Sequence, residues 1–206
     1  MRLPASRRPQ GASLIELIVT SLIVGVLMLV IWQLVAAGGR FYQRARSQSE
    51  VQRNTLLAMR WISKDLSEGA TISFRQYKVG SPGVTYPGIV FGSPVRVPDG
   101  TVHYDTASGR MLWGSVIGYY INPSDKTLYR QQRALPSVDK TYPPVIDNDT
   151  QSTDILAGMP RPRLIARQIH EIDTTQGPKD IKVILATRDE ELGFGIKVQT
   201  RLEMRN

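Results

Sequence analysis

Two histidines, no cysteine and one carboxylate at the mouth of an apolar run bound the chemistry open to this 206-residue chain. Without cysteine there is no disulfide, no thiolate metal site and no cysteine nucleophile. His103 and His170 stand far apart, and each reads as a surface or packed strand residue rather than a base or metal ligand. Asp147-Asn148-Asp149 with Asp154 offers the oxygens that calcium takes, but the mid-loop glycine and terminal glutamate of a calcium loop are missing. An ordinary solvated loop is expected there. No Gly-x-Ser-x-Gly elbow, phosphate-binding glycine loop or zinc spacing occurs. These residues lead to no catalytic group, cofactor or metal, and so to a non-enzymatic role.

Glu16 is the exception. It lies in Gly11-Ala12-Ser13-Leu14-Ile15-Glu16, and from Leu17 to Gly39 no charged side chain follows it. A carboxylate within a bilayer costs about 2.5 to 3.5 kcal/mol on insertion scales, so it either reaches the interface or finds a partner. The element that must carry it is a helix. Leu17 to Ala37 is about 21 residues, and at about 1.5 Å each it covers about 30 Å, the thickness of a hydrocarbon core. Thr20 and Ser21 are tolerable within it because their hydroxyls bond to the helix backbone, and Gln33 sits near one end. Trp32 reads as an interfacial anchor.

The formal net charge is +8, and Arg2, Arg7 and Arg8 contribute to it from the first ten residues. Without them the chain keeps 23 basic and 18 acidic residues, a mild excess that reads as a soluble basic face. The basic leader and the long polar chain after the run predict Arg2, Arg7 and Arg8 in the cytoplasm, with residues beyond Arg40 exported. Ala36-Ala37-Gly38-Gly39 loosely imitates a signal cleavage site, which would give a secreted chain starting near Gly38. The run is long for a signal core and suits a retained span better.

Past Gly38-Gly39 the chain turns polar yet keeps a helical period. Val51, Thr55, Ala58, Ile62 and Leu66 share one face, with Leu57 and Trp61 widening it, and Gly69 is placed to cap the end. One helix from about Ser13 to Glu68, with a bend allowed at Gly38-Gly39, is expected. From Ala70 the pattern is β. Phe194 to Met204 alternates strictly, so one face should be buried and one wet. Asp180 to Thr187 and Leu164 to Ile172 are further strands. Val116 to Ile121 and Thr127 to Arg133 flank a hairpin turn at Asn122-Pro123-Ser124-Asp125. Ile89 to Val97 and Thr101 to Tyr104 form a second pair around Pro98-Asp99-Gly100. Pro136 to Pro162 reads as a long loop.

The segment around Gly11 and Glu16 resembles the type IV prepilin leader. In that family a short basic peptide ends in glycine, a membrane peptidase cuts after it, the new first residue is N-methylated, and a glutamate stands fifth. The resemblance covers about 30 residues. It implies cleavage between Gly11 and Ala12, methylation of Ala12, and pairing of Glu16 with the free amine of Ala12 on a neighbouring subunit. Such head-to-tail contacts generate open helical filaments. Two departures stand out: Ala12 replaces the usual phenylalanine, and Gln33 stands where a helix-loosening proline often follows.

The resemblance implies an α+β fold, a long N-terminal helix packed on an antiparallel β-sheet head. Residues 1–11 would be leader, 12–38 transmembrane and filament-core helix, 39–69 its amphipathic continuation, and 70–206 the head. Arg53-x-x-Leu56-Leu57, Lys64-Asp65-Leu66, Gly118-Tyr119-Tyr120-Ile121, Thr127-Leu128-Tyr129-Arg130 and the ending Arg205-Asn206 look like W-type minor pilins or J-type minor pseudopilins. The implied role is a subunit that primes or caps a type IV pilus or a type II secretion pseudopilus. Implied partners are the prepilin peptidase, other pilins or pseudopilins, the inner-membrane assembly platform and the lipid bilayer. Nucleic acid stays open only through scattered tyrosines, as no basic-aromatic cluster stands out. The implied location is the inner membrane with the head exported, then the filament. The alternative is a signal-anchored periplasmic or surface binding module or enzyme, which predicts a catalytic constellation and an indifferent residue at position 16.

Overall fold

A long helix, α1 (Leu14–Glu68, 55 residues), opens the computed structural model, which describes residues 13–79, 86–95, 97, 100–135, 142–144, 162–177, 180–189 and 193–204. Helical hydrogen bonding continues through Gly38 and Gly39, so the bend allowed there brings no break in the helix. The chain divides into two compact units, Met1–Arg46 and Ser47–Asn206, and α1 runs through the boundary.

In the second unit α1 buries one stripe. Val51, Thr55, Ala58, Ile62 and Leu66 are all fully buried, as their spacing predicts. Met59 and Asp65 join them, whereas Leu57, expected to widen the face, is 39% exposed. The stripe leans toward the residues three and four positions from Ile62, and Leu57 falls one step off it. Trp61 is partly buried against the core. At the end of α1, Gly69 donates its N–H to Leu66 O at 3.0 Å, but not from the left-handed conformation of a glycine cap. It is small for space: a Cβ would lie 2.9 Å from the Phe91 ring and 3.0 Å from Met204 Cε.

A short 3-10 turn, Thr71–Ser73, leads into eight strands: β1 (Arg75–Val79), β2 (Tyr86–Ser93), β3 (Ser115–Asn122), β4 (Thr127–Ala134), β5 (Arg163–Ala166), β6 (Ile169–Gln176), β7 (Asp180–Asp189) and β8 (Phe194–Glu203). They form two antiparallel sheets, not one, with orders β1-β2-β3-β4-β5 and β6-β7-β8. The architecture is α+β. Its core joins Ile62 and Leu66 of α1 to Phe91, Ile117, Leu128, Ile169, Val183 and Leu185 from both sheets.

The β3–β4 hairpin falls where it was predicted. Asn122 Oδ1 accepts from Ser124 N at 3.0 Å and Asp125 Oδ1 from Thr127 N at 3.1 Å, side chains closing the turn in place of backbone. The second predicted pair is not a hairpin. β2 stops at Ser93 because Pro94 has no N–H for the ladder, and Val95 and Tyr104 make only isolated bridges, to Val102 and Met111. The single strand expected from Leu164 to Ile172 is two strands in different sheets. Gln168, at φ 61°, turns the chain between them. β8 alternates as predicted, but its inner face is only half-buried, since β8 is the last strand of its sheet and has a paired neighbour on one side alone among the described residues. Met204, read as part of that strand, is buried just beyond its end.

Candidate functional site

The first unit presents an apolar helix with nothing over it. Every large apolar residue from Leu14 to Val35 is between 45% and 79% exposed. Mean hydropathy reaches 2.8 in this segment, and α1 is the one helix among the described residues long and apolar enough to cross a membrane. Each such side chain left in water forgoes about 1.5 to 3 kcal/mol of burial. Seventeen of them in succession require an apolar environment, whether lipid or other helices.

Two hydrogen bonds close the helix start. Ser13 Oγ accepts from Glu16 N at 3.3 Å, and Glu16 Oε2 accepts from Ser13 N at 3.0 Å. This is the reciprocal capping box, in which a serine and a glutamate three residues apart satisfy donors that a helix N-terminus leaves open. The carboxylate also lies at the positive end of the helix dipole. Its signal, Ser-x-x-Glu before an apolar run, was in the sequence but was passed over for the longer motif. The box uses one acceptor position of a carboxylate that has about four, so the same group can take a second donor. The predicted hydroxyl bonds are present: Thr20 Oγ1 donates to Glu16 O and Ser21 Oγ to Leu17 O, both at 2.7 Å. Gly11 and Ala12 lie outside the described residues, as do Asp147, Asn148, Asp149, Asp154, Arg205 and Asn206.

A second cluster, in the other unit, joins stretches singled out for the subgroup resemblance. Asp65 Oδ2 accepts from Tyr119 Oη and from Arg130 Nε, each at 2.5 Å. Arg130 also donates to Gln132 Oε1 at 3.1 Å, and the rings of Trp61 and the guanidiniums of Arg130 and Arg163 stack at 6.0 and 4.6 Å. Burial, and then the Asp65 charge, push the Tyr119 phenol far above its ordinary range. Burial would lower the Arg130 guanidinium, but its bond to Asp65 outweighs this and the net direction is upward. Asp65 is 4% and Tyr119 0% exposed, so the cluster ties the end of α1 to β3 and β4 rather than facing a ligand.

A shallow, open, polar depression of about 460 Å³ is lined by Glu50, Asp125, Lys126, Gln168, His170, Arg188 and Asp189. The left-handed Lys126 (φ 52°) and Gln168 shape it, one in the β3–β4 turn and one at the sheet change. Its side chains bond within the protein: Tyr129 Oη donates to Asp125, Ser47 Oγ to Asp189, and His170 Nε2 meets Arg188 O at 3.1 Å. His103 Nε2 meets Thr101 Oγ1 at 2.8 Å, outside the depression. Among the described residues no group of three or more His, Asp or Glu is placed to hold a metal ion.

What the arrangement offers is therefore an uncovered apolar helix with a capped acid at its tip, carried by a β-rich unit stabilised through its own core. Compared with protein-family models, with curated proteins and with solved structures, the chain matches none.

Proposed function

We propose that this chain is a minor pilin or pseudopilin subunit, cut between Gly11 and Ala12 and assembled through its apolar helix into a type IV pilus or type II secretion pseudopilus. The observation that carries the reading is the first unit of α1: an apolar surface uncovered on all sides, with one carboxylate in its first turn. A signal anchor has no need of that carboxylate, and a filament subunit uses it. On this reading Glu16 pairs with the amine of Ala12 on the adjoining subunit, neutralising both charges where water is scarce and fixing axial register. The subunit is inserted in the inner membrane with its head exported. It primes or caps the filament in company with other pilins or pseudopilins.

Mass spectrometry of the N-terminal peptide from the membrane fraction tests the proposal. The expected mature chain starts at N-methylated Ala12. A start near Gly38, or an intact Met1 in a functional protein, would sink it. Glu16→Ala is expected to leave cleavage intact and to lower incorporation into filaments severalfold; normal incorporation would remove Glu16 from the assigned role.

A further inference from the structure

Immediately beyond the apolar stretch, the last two turns of the first unit read Arg40-Phe41-Tyr42-Gln43-Arg44-Ala45-Arg46. Every one of these residues is exposed, with Phe41 at 75% and Tyr42 at 68%. No acidic residue occurs between Glu16 and Glu50. Three cations thus stand on this segment with no carboxylate from their own stretch to balance them.

The placement around the axis matters as much as the charge. At 3.6 residues per turn, Arg40 and Arg44 share one side, Phe41 lies about a quarter turn on, and Tyr42 and Arg46 occupy the far side. Cations and aromatic rings therefore encircle the helix. The contrast with the same helix farther on is sharp, since Val51 to Leu66 confine their contacts to a single stripe against a core. A helix that docks on one protein surface needs one face; a helix emerging through a layer of headgroups meets them on every side. The depth agrees. Leu17 to Gly39 is about 23 residues, or about 35 Å of helix, slightly more than the about 30 Å of hydrocarbon, so Arg40 emerges at the phosphate level. The Arg40 guanidinium spends Nε on Ala36 O at 3.4 Å, and its two terminal nitrogens keep the fork that binds phosphate oxygens.

We infer that residues Arg40 to Arg46 form a girdle that binds anionic phospholipid headgroups at the membrane face from which the second unit emerges. Aromatic rings at the interface and arginines on phosphate act together, as in other interfacial belts. The inference rests on the anchor part of the proposed function and is independent of filament assembly.

The test uses the full chain in nanodiscs of phosphatidylcholine mixed with phosphatidylglycerol, with mass spectrometry of the lipids retained on release. Phosphatidylglycerol is expected to be enriched over phosphatidylcholine. Each cation removed in the series Arg40→Gln, Arg44→Gln, Arg46→Gln should lower that enrichment by up to about fivefold, and raised salt should weaken it further. These side chains are exposed, so circular dichroism of the variants should match the parent. If the chain enters the bilayer but retains both lipids equally, or if the triple variant keeps its preference, the girdle is overturned and the anchor stands. If the chain fails to enter the bilayer, the anchor and the girdle fall together. Displacement of the lipid by inorganic phosphate alone would assign the site to a free anion and overturn the headgroup. A self-association in phosphatidylcholine that the triple variant loses would assign the arginines to a second copy, and likewise overturn it.

Discussion

Asp65 holds two donors at once, and its removal exposes how much depends on that arrangement. Asp65→Ala leaves the Arg130 guanidinium, whose side chain is 15% exposed, without its carboxylate. The expected loss is about 3 kcal/mol, near the lower end for a broken buried pair because water still reaches Arg130 in part; urea unfolding of the variant measures it. Tyr119→Phe should cost about 1.5 to 3 kcal/mol, the range for a hydrogen bond to a charged group. Its pH signature follows from the raised phenol. The folded state holds Tyr119 protonated above pH 10.0, where the unfolded chain releases the proton, so stability is full below that pH and falls as pH rises. A decline of about 1.4 kcal/mol per pH unit is expected above about pH 10, and it should vanish in Tyr119→Phe. None of this was legible from position alone. Asp65 lies on the buried stripe by spacing, but its partner sits 65 residues downstream, and only the pairing of β3 with β4 brings Tyr119 and Arg130 to the helix.

Single helices and strands declare themselves through periodicity, and the exceptions here have local causes. β7 buries Ile181, Val183, Leu185 and Thr187 in alternation, and such a pattern needs no knowledge of neighbours. The change of sheet at Gln168 carries no glycine or proline to mark it, so β5 and β6 read as one strand. Pro94 was visible, and its missing donor should have ended β2 earlier. At Gly69 the residue was noticed for the wrong reason, since it is the crowding by Phe91 and Met204 that excludes a side chain. Gly69→Ala is therefore expected to destabilise the second unit by about 1 to 3 kcal/mol, read from thermal or urea unfolding. Gly25 makes the opposite comparison. A Cβ there meets nothing within 4 Å, so Gly25→Ala should leave the melting of the chain unchanged. If that variant assembles poorly, the close contact belongs to a neighbouring helix.

For the whole chain, the division at Arg46 and Ser47 separates two kinds of surface. Every residue of the hydrophobic core cluster lies from Ala58 onward, and Val51 is the earliest buried apolar residue, so the apolar first unit contributes none of the head's interior. A chain beginning at Ser47 is expected to fold cooperatively and to stay soluble without detergent. Size exclusion and thermal unfolding check this, and aggregation of that fragment would show that the first unit supports the head. The two-part plan was legible early because hydropathy changes abruptly at Arg40. The two-sheet layout was not, because it depends on which strands meet, and strand pairing is long-range.

The reciprocal bonds between Ser13 and Glu16 bear on how a lone subunit waits. Its acid is content before any second chain arrives. On the proposed role, recruitment then swaps one nitrogen donor for another and does not rescue a stranded ion. The free energy of joining is a small difference between two satisfied states. Such a subunit keeps in reserve without penalty, and it lets go again as readily as it is taken up.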